Sequence, residues 1–216
     1  MLKLLLDTSS RDIHIAFCDT DRILWQHTEL LGRGEVLADL VLKGLEAIDQ
    51  KITDISHCLV CVGPGSFTGL RTGLAFIQGL AFAQKLQIQK ISALRLFATE
   101  LLASGQKNIG VALLAQSQKW YIGQGIENKE SFMQAESLVT APQKPDLDPS
   151  MTWICDDSWA EYLQLKEFIK LDTTRAIELL FECSKIQFPT ISAVDLKPQY
   201  LQESAAVTHL NTRQTP

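Results

Sequence analysis

Gly63-Pro-Gly-Ser-Phe-Thr-Gly-Leu-Arg-Thr-Gly-Leu74 follows directly on the apolar run Cys58-Leu-Val-Cys-Val62 and leads into apolar residues that continue at helical spacing to about Lys85. A buried strand, a glycine-rich turn and a helix in that order form one unit of an α/β fold. Glycine permits positive φ and close backbone approach, Ser66 or Thr68 can cap the helix, and the first helical amides point at whatever occupies the turn. That geometry suits a phosphate or carboxylate, and it equally suits a packing turn. Two known signatures are excluded. No lysine lies between Gly63 and Gln84, so the stretch is not a P-loop, and Pro64 stands where a serine nucleophile elbow needs glycine.

Upstream, Leu2-Lys-Leu-Leu-Leu-Asp-Thr-Ser9, Ile13 to Cys18 and Ile23 to Thr28 are three strand-length runs separated by polar turns, which predicts a meander. Asp7-Thr8-Ser9-Ser10 ends the first strand, where its carboxylate and hydroxyls either orient a metal-bound phosphate or close an Asx turn. Asp7, Thr8, Ser9, Gly63, Gly65 and Ser66 are therefore the candidate phosphate-binding set. A helix is expected from Glu35 to about Gln50 and another from Ser66 to Lys85, then a strand at Ile88 to Ile91 and a helix from Ala93 to Ala103.

Ser104-Gly105-Gln106 reads as a stop and marks a domain boundary, giving expected units of residues 1–105 and 106–216. The second half restarts with strands at Ile109 to Leu114, Trp120 to Ile126 and Trp153 to Cys155, with a Pro-bearing loop at Ala141 to Ser150. Helical patterns near Ser158 to Leu165 and Arg175 to Phe188 follow; the chain after Pro189 reads as irregular and Asn211 to Pro216 as frayed. No internal repeat is visible in the sequence.

Both early helices carry more apolar surface than one core contact needs. From Val36 round to Leu45 the apolar arc spans roughly 200°, where a little over 100° suffices. In the next helix only Arg71 and Gln78, flanked by Thr68 and Thr72, interrupt an apolar circumference, and Gly65, Gly69 and Gly73 recur every four residues. Each interior glycine costs about 1 kcal/mol of helix propensity, which close packing must offset. Either both helices are sandwiched within the fold or one face of each serves a partner. The candidate partner interface is Val36, Leu37, Leu40, Val41, Gly69, Gly73, Phe76, Ile77 and Leu80.

A hydrophobic share of 46% excludes disorder of the whole 216-residue chain. A net charge of −5 argues against a protein that grips a nucleic-acid backbone alone. Cysteines at 18, 58, 61, 155 and 183 lack the spacing of a secreted disulfide framework, and Cys58-Leu-Val-Cys61 falls within a strand, so buried reduced thiols are expected. The histidines at 14, 27, 57 and 209 form no pair on a helix face, so no metal centre is implied; no apolar run approaches the roughly 18 residues of a membrane span, so a cytoplasmic location is expected.

Leu6-Asp-Thr-Ser9, the glycine motif from Gly63 to Leu74, and Pro198-Gln-Tyr-Leu201 together resemble the bacterial TsaB (YeaZ) family. The resemblance covers residues 1 to about 100 well, and the second half through its layout and the Pro-x-Tyr-Leu. It implies a two-lobed actin-like and Hsp70-like ASKHA fold with ribonuclease H-like lobes. It further implies a non-catalytic subunit that binds TsaD, joined by the ATPase TsaE, in making threonylcarbamoyladenosine next to the tRNA anticodon. A bundle of the first two helices is the implied contact, used also for a homodimer. Contact with tRNA would be indirect, no cofactor would be intrinsic, and ATP or ADP would belong to the complex interface.

The chain departs from that family at three places. Gly32-Arg-Gly-Glu35 stands where a His-Ser pair commonly leads into the first helix. Leu114-Ala-Gln-Ser-Gln-Lys-Trp-Tyr121 replaces Asp-Ala-Arg followed by Glu-Val-Tyr, and Gln202 replaces arginine. An ATP-binding kinase-like enzyme of the same fold is the alternative, using Asp7, Thr8 and the Gly63–Gly65 turn. A peptidase reading finds no paired histidines, serine elbow or cysteine with a helical histidine.

Overall fold

Leu2–Asp7 (β1), Ile13–Cys18 (β2) and Ile23–Glu29 (β3) form the expected antiparallel meander. In the computed structural model, which describes residues 1–32, 34–106, 108–115, 119–125, 135–140 and 151–200, helix α1 (Leu37–Ala47) follows. Strand β4 (Ile55–Cys61) then returns parallel to β1, helix α2 (Phe67–Ala83) crosses over, β5 (Gln87–Ile91) lies parallel to β4, and helix α3 (Ala93–Ala103) follows.

The second half repeats this strand order. Antiparallel β6 (Ile109–Leu114), β7 (Lys119–Gly125) and β8 (Ala135–Thr140) are followed by β9 (Thr152–Cys155) parallel to β6. Helix α4 (Asp157–Leu163), β10 (Ile169–Lys170) parallel to β9, and helix α5 (Ala176–Ser184) complete it. Read across the sheets, β3-β2-β1-β4-β5 and β8-β7-β6-β9-β10 have the same order and the same strand senses. The architecture is the two-lobed ASKHA α/β fold, and its duplication lies in the topology, since no residue pattern repeats.

The irregular reading after Pro189 is corrected. Thr190–Ile191 forms a short strand, β11, antiparallel to β5, so the C-terminal segment returns to the first sheet. Two residues preceded by proline give too little alternation to be read as a strand. Strands β8 and β10 likewise had no expected counterpart. The calls on residues 126, 141–150 and 211–216 lie outside the described residues.

Alternation along the strands divides the core into layers. Leu4, Leu6, Ile15, Phe17, Cys58 and Val60 face outward beneath α1 and α2. Leu5, Ala16, Leu59 and Cys61 face the other way, where α3 and α5 join them to Val111, Leu113 and Tyr121 of the second sheet in one continuous core. The outer face of the second sheet packs on α4 through Trp120, Trp153 and Trp159. Cross-links through the middle layer include Lys3 Nζ donating to the Ser184 carbonyl at 2.8 Å and a 3.0 Å contact between Thr99 Oγ1 and Cys183 Sγ.

All five cysteines are buried and free, with Cys58 and Cys61 on opposite faces of β4. Burial pushes the thiols of Cys155 and Cys183 up to about 12 and about 11 from an ordinary 9.0, and those of Cys18, Cys58 and Cys61 upward also. A thiol that keeps its proton in the folded chain and loses it in the unfolded chain makes stability fall as pH rises. Chemical denaturation is therefore expected to show no thiol-linked change below pH 8. Between about pH 9 and pH 11, stability should decline by up to ~1.4 kcal/mol per pH unit for each such thiol. Alkylation of the native chain at pH 8 should label none of the five.

Candidate functional site

The glycine-rich turn and the end of β1 are locked onto one another. Gly63 has φ of +95° and precedes a cis Pro64. Ser66 N–H donates to the Ser9 carbonyl at 2.6 Å, and Ser66 Oγ accepts from Gly69 N–H at 3.2 Å as the helix cap. Ser9 N–H donates to Asp7 Oδ1 at 2.7 Å, which makes the Asx turn. A Cβ on Gly65 would stand 2.0 Å from the Ser9 carbonyl oxygen, one on Gly69 2.3 Å from that of Thr8, and one on Gly73 2.3 Å from Thr8 Oγ1. The glycine stripe is thus the seat of the Thr8–Ser9 turn. Asp7, Thr8 and Ser9 are buried; Ser9 is engaged by Asp7 and Ser66, while Thr8 Oγ1 lies against Gly73 without a hydrogen-bond partner among the described residues.

A polar row crosses the first sheet behind this turn, on the face toward α3 and α5. Cross-strand register sets Asp7 opposite His14 and His14 opposite Thr28. His14 Nδ1 lies 3.1 Å from Thr28 Oγ1, while its Nε2 is buried without a hydrogen-bond partner. Burial first, and then the neighbouring Asp7 carboxylate, hold the Cys61 thiol well above its ordinary value. Sequence reading placed His14 among scattered histidines, because the pairing with Asp7 exists only across strands. Among the described residues no group of three or more His, Cys, Asp or Glu could hold a metal ion.

The candidate interface residues divide. Leu37, Leu40, Val41, Ile77 and Leu80 are buried in the chain's own core, Gly73 is covered by Thr8, and Val36, Gly69 and Phe76 are half-buried. One flank of α2 is also covered from within, since Gln78 Nε2 donates to the carbonyls of both Ala193 and Leu196 at 3.0 Å. The exposed apolar residues are others: Leu42 on α1, 58% exposed, and on α2 the stripe of Ala75, Gly79 and Phe82, the last 74% exposed. A Cβ on Gly79 would meet nothing within 4 Å. Near the start of α2, Phe67 stacks on Tyr200 at 5.1 Å and lies beneath the Arg71 guanidinium at 4.6 Å.

Two substitutions separate the glycines of α2 and its entry turn that pack from the one that does not. Gly65→Ala, which meets backbone, is expected to destabilise the chain by about 3 kcal/mol. Gly79→Ala should stabilise it by about 1 kcal/mol through helix propensity. Equilibrium denaturation reads both.

Comparison with known proteins bears on this arrangement. Residues 34–141, half of the chain, match the family model described as TsaD, tRNA N6-adenosine threonylcarbamoyltransferase. The chain is 29% identical over 170 residues to the Haemophilus influenzae tRNA threonylcarbamoyladenosine biosynthesis protein TsaB, covering 70% of this chain and 72% of that protein. It is 28% identical to the Buchnera aphidicola TsaB over 167 residues, 73% of each. Among solved structures, YeaZ from Pseudomonas aeruginosa has the same fold, with a TM-score of 0.71 at 22% identity over 93% of this chain and 99% of that one. The glycine motif, the duplicated sheets and these matches agree: the chain belongs to the threonylcarbamoyltransferase-related family and, within it, to TsaB (YeaZ).

Proposed function

We propose that the chain is a non-catalytic subunit in tRNA threonylcarbamoyladenosine biosynthesis, the process for which its TsaB relatives are named. In this reading it binds and positions a TsaD-like catalytic subunit through the exposed face of α1 and α2, and a TsaE-like ATPase joins the pair. The same face serves a homodimer when that partner is absent. The observation that carries the reading is the exposed stripe of Ala75, Gly79 and Phe82 along α2, with Leu42 exposed on α1. An interior helical glycine with open space above it lets a second helix approach closely, and large exposed apolar side chains beside it supply the buried area.

The turn cluster fits a supporting role for this chain. The Ser66 amide and the Asp7 carboxylate are engaged with Ser9, and the space between the sheets is filled by α3 and α5. ATP or ADP then belongs to the interface with the partner, and tRNA reaches this acidic subunit through that partner. No helix among the described residues is long and apolar enough to cross a membrane.

Light scattering after size exclusion, on the chain alone and mixed with the TsaD protein of the same organism, tests the proposal. A one-to-one heterodimer is expected, and a chain that ignores TsaD would sink it. Phe82→Glu should weaken the complex by about 3 kcal/mol, roughly the value of burying one such side chain, and leave the fold intact. Leu80→Glu should unfold the chain instead, because Leu80 points into its own core. Calorimetric titration of the isolated chain with magnesium ATP should give no binding heat; a saturable signal would return the kinase-like reading.

A further inference from the structure

The two sheets share a topology but differ at one edge. On the first sheet the edge beyond β5 is covered: Thr190 pairs with Gln89 and Ile191 with Ile88 in β11. Phe188, two residues earlier, is buried there, with the Arg95 guanidinium of the first turn of α3 4.9 Å from its ring and Gln89 Nε2 donating to its carbonyl at 2.8 Å. The corresponding strand of the second sheet is β10, and among the described residues nothing pairs with its outer side.

Two features make that edge receptive. Leu171 N–H donates to the Cys155 carbonyl at 2.8 Å, toward β9, so alternation along the strand turns the peptide N–H and C=O of Lys170 outward. Against β10 and the first turn of α5, where Phe188 has its counterpart position on the first sheet, lies a cavity of about 370 Å³ walled by apolar Phe97, Leu101, Ile154, Ile169 and Leu179 and also by Ser104, Asp172 and Arg175. The nearby charges are engaged within the chain, Lys170 with Asp157 at 2.6 Å and Arg175 with Glu178 at 3.2 Å. Recognition there rests on backbone pairing and an apolar side chain.

We propose that β10 is a strand-addition site for an extended peptide segment of a partner protein, which pairs with Lys170 and seats one large apolar side chain in the cavity. The chain carries its own template, since β11 and Phe188 make that pair of contacts on the first sheet. The proposal uses a surface remote in sequence from α1 and α2 and does not depend on the function proposed above.

The probe is a fluorescein-labelled peptide copying Ile186 to Ala193, titrated into the full chain by fluorescence anisotropy. Saturable binding is expected, weakened at least tenfold by Phe188→Ala in the peptide. It should be weakened equally by Ser104→Trp in the protein, which fills the cavity, and by Lys170→Pro, which removes the outward donor. Circular dichroism establishes that each variant folds, and either of the two suffices for the comparison. No saturable binding, or binding that both protein variants leave unchanged, overturns the proposal. Light scattering that shows self-association abolished by Lys170→Pro also overturns it, by assigning the edge to a second copy of the chain.

Discussion

The contact on which the structure depends is the 2.6 Å hydrogen bond from the Ser66 amide to the Ser9 carbonyl. It brings the turn after β1 onto the N-terminus of α2, closer than any side chain at position 65 or 69 would permit. A helix N-terminus offers unpaired amides that must find acceptors, and here one acceptor is the backbone of the neighbouring turn. The three glycines spaced by four follow from that choice. Their helical cost is offset by the hydrogen bond between Ser66 and Ser9 and by packing α2 on the first sheet.

With α2 fixed, its circumference is shared among different neighbours. Leu70, Gly73, Leu74, Ile77 and Leu80 turn inward, and Gln78 holds the returning segment at Ala193 and Leu196. Ala75, Gly79 and Phe82 are left to solvent. The excess apolar arc read from the sequence is therefore covered from within on one flank and exposed on the other. Periodicity measures how wide an apolar arc is; which part of it the rest of the chain covers depends on contacts across more than a hundred residues.

That limit explains what was legible. The helix from Ala93 to Ala103 and the strand from Ile109 to Leu114 were read at their observed bounds, because each is a dense apolar run ended by turn residues. The Ser66 cap and the Asp7 turn were read correctly too, being local hydrogen bonds. Strands β10 and β11, two residues each, exist only because a neighbour pairs with them. The row of Asp7, His14 and Thr28 was hidden for the same reason, since register across an antiparallel sheet brings together residues that sequence keeps apart.

The duplicated sheets show what a shared topology leaves free to differ. In an enzyme that closes two lobes on a nucleotide, the lobes must move against each other, and the layer between them must allow it. Here α3 and α5 bind both sheets into one core, and Lys3 to Ser184, Thr99 to Cys183 and Gln89 to Phe188 link the halves through buried or half-buried contacts. Separating the halves would expose that core. A body held together in this way opens only at the cost of exposing that core, and such rigidity would suit the positioning role proposed above, because a preorganised face loses less entropy on association.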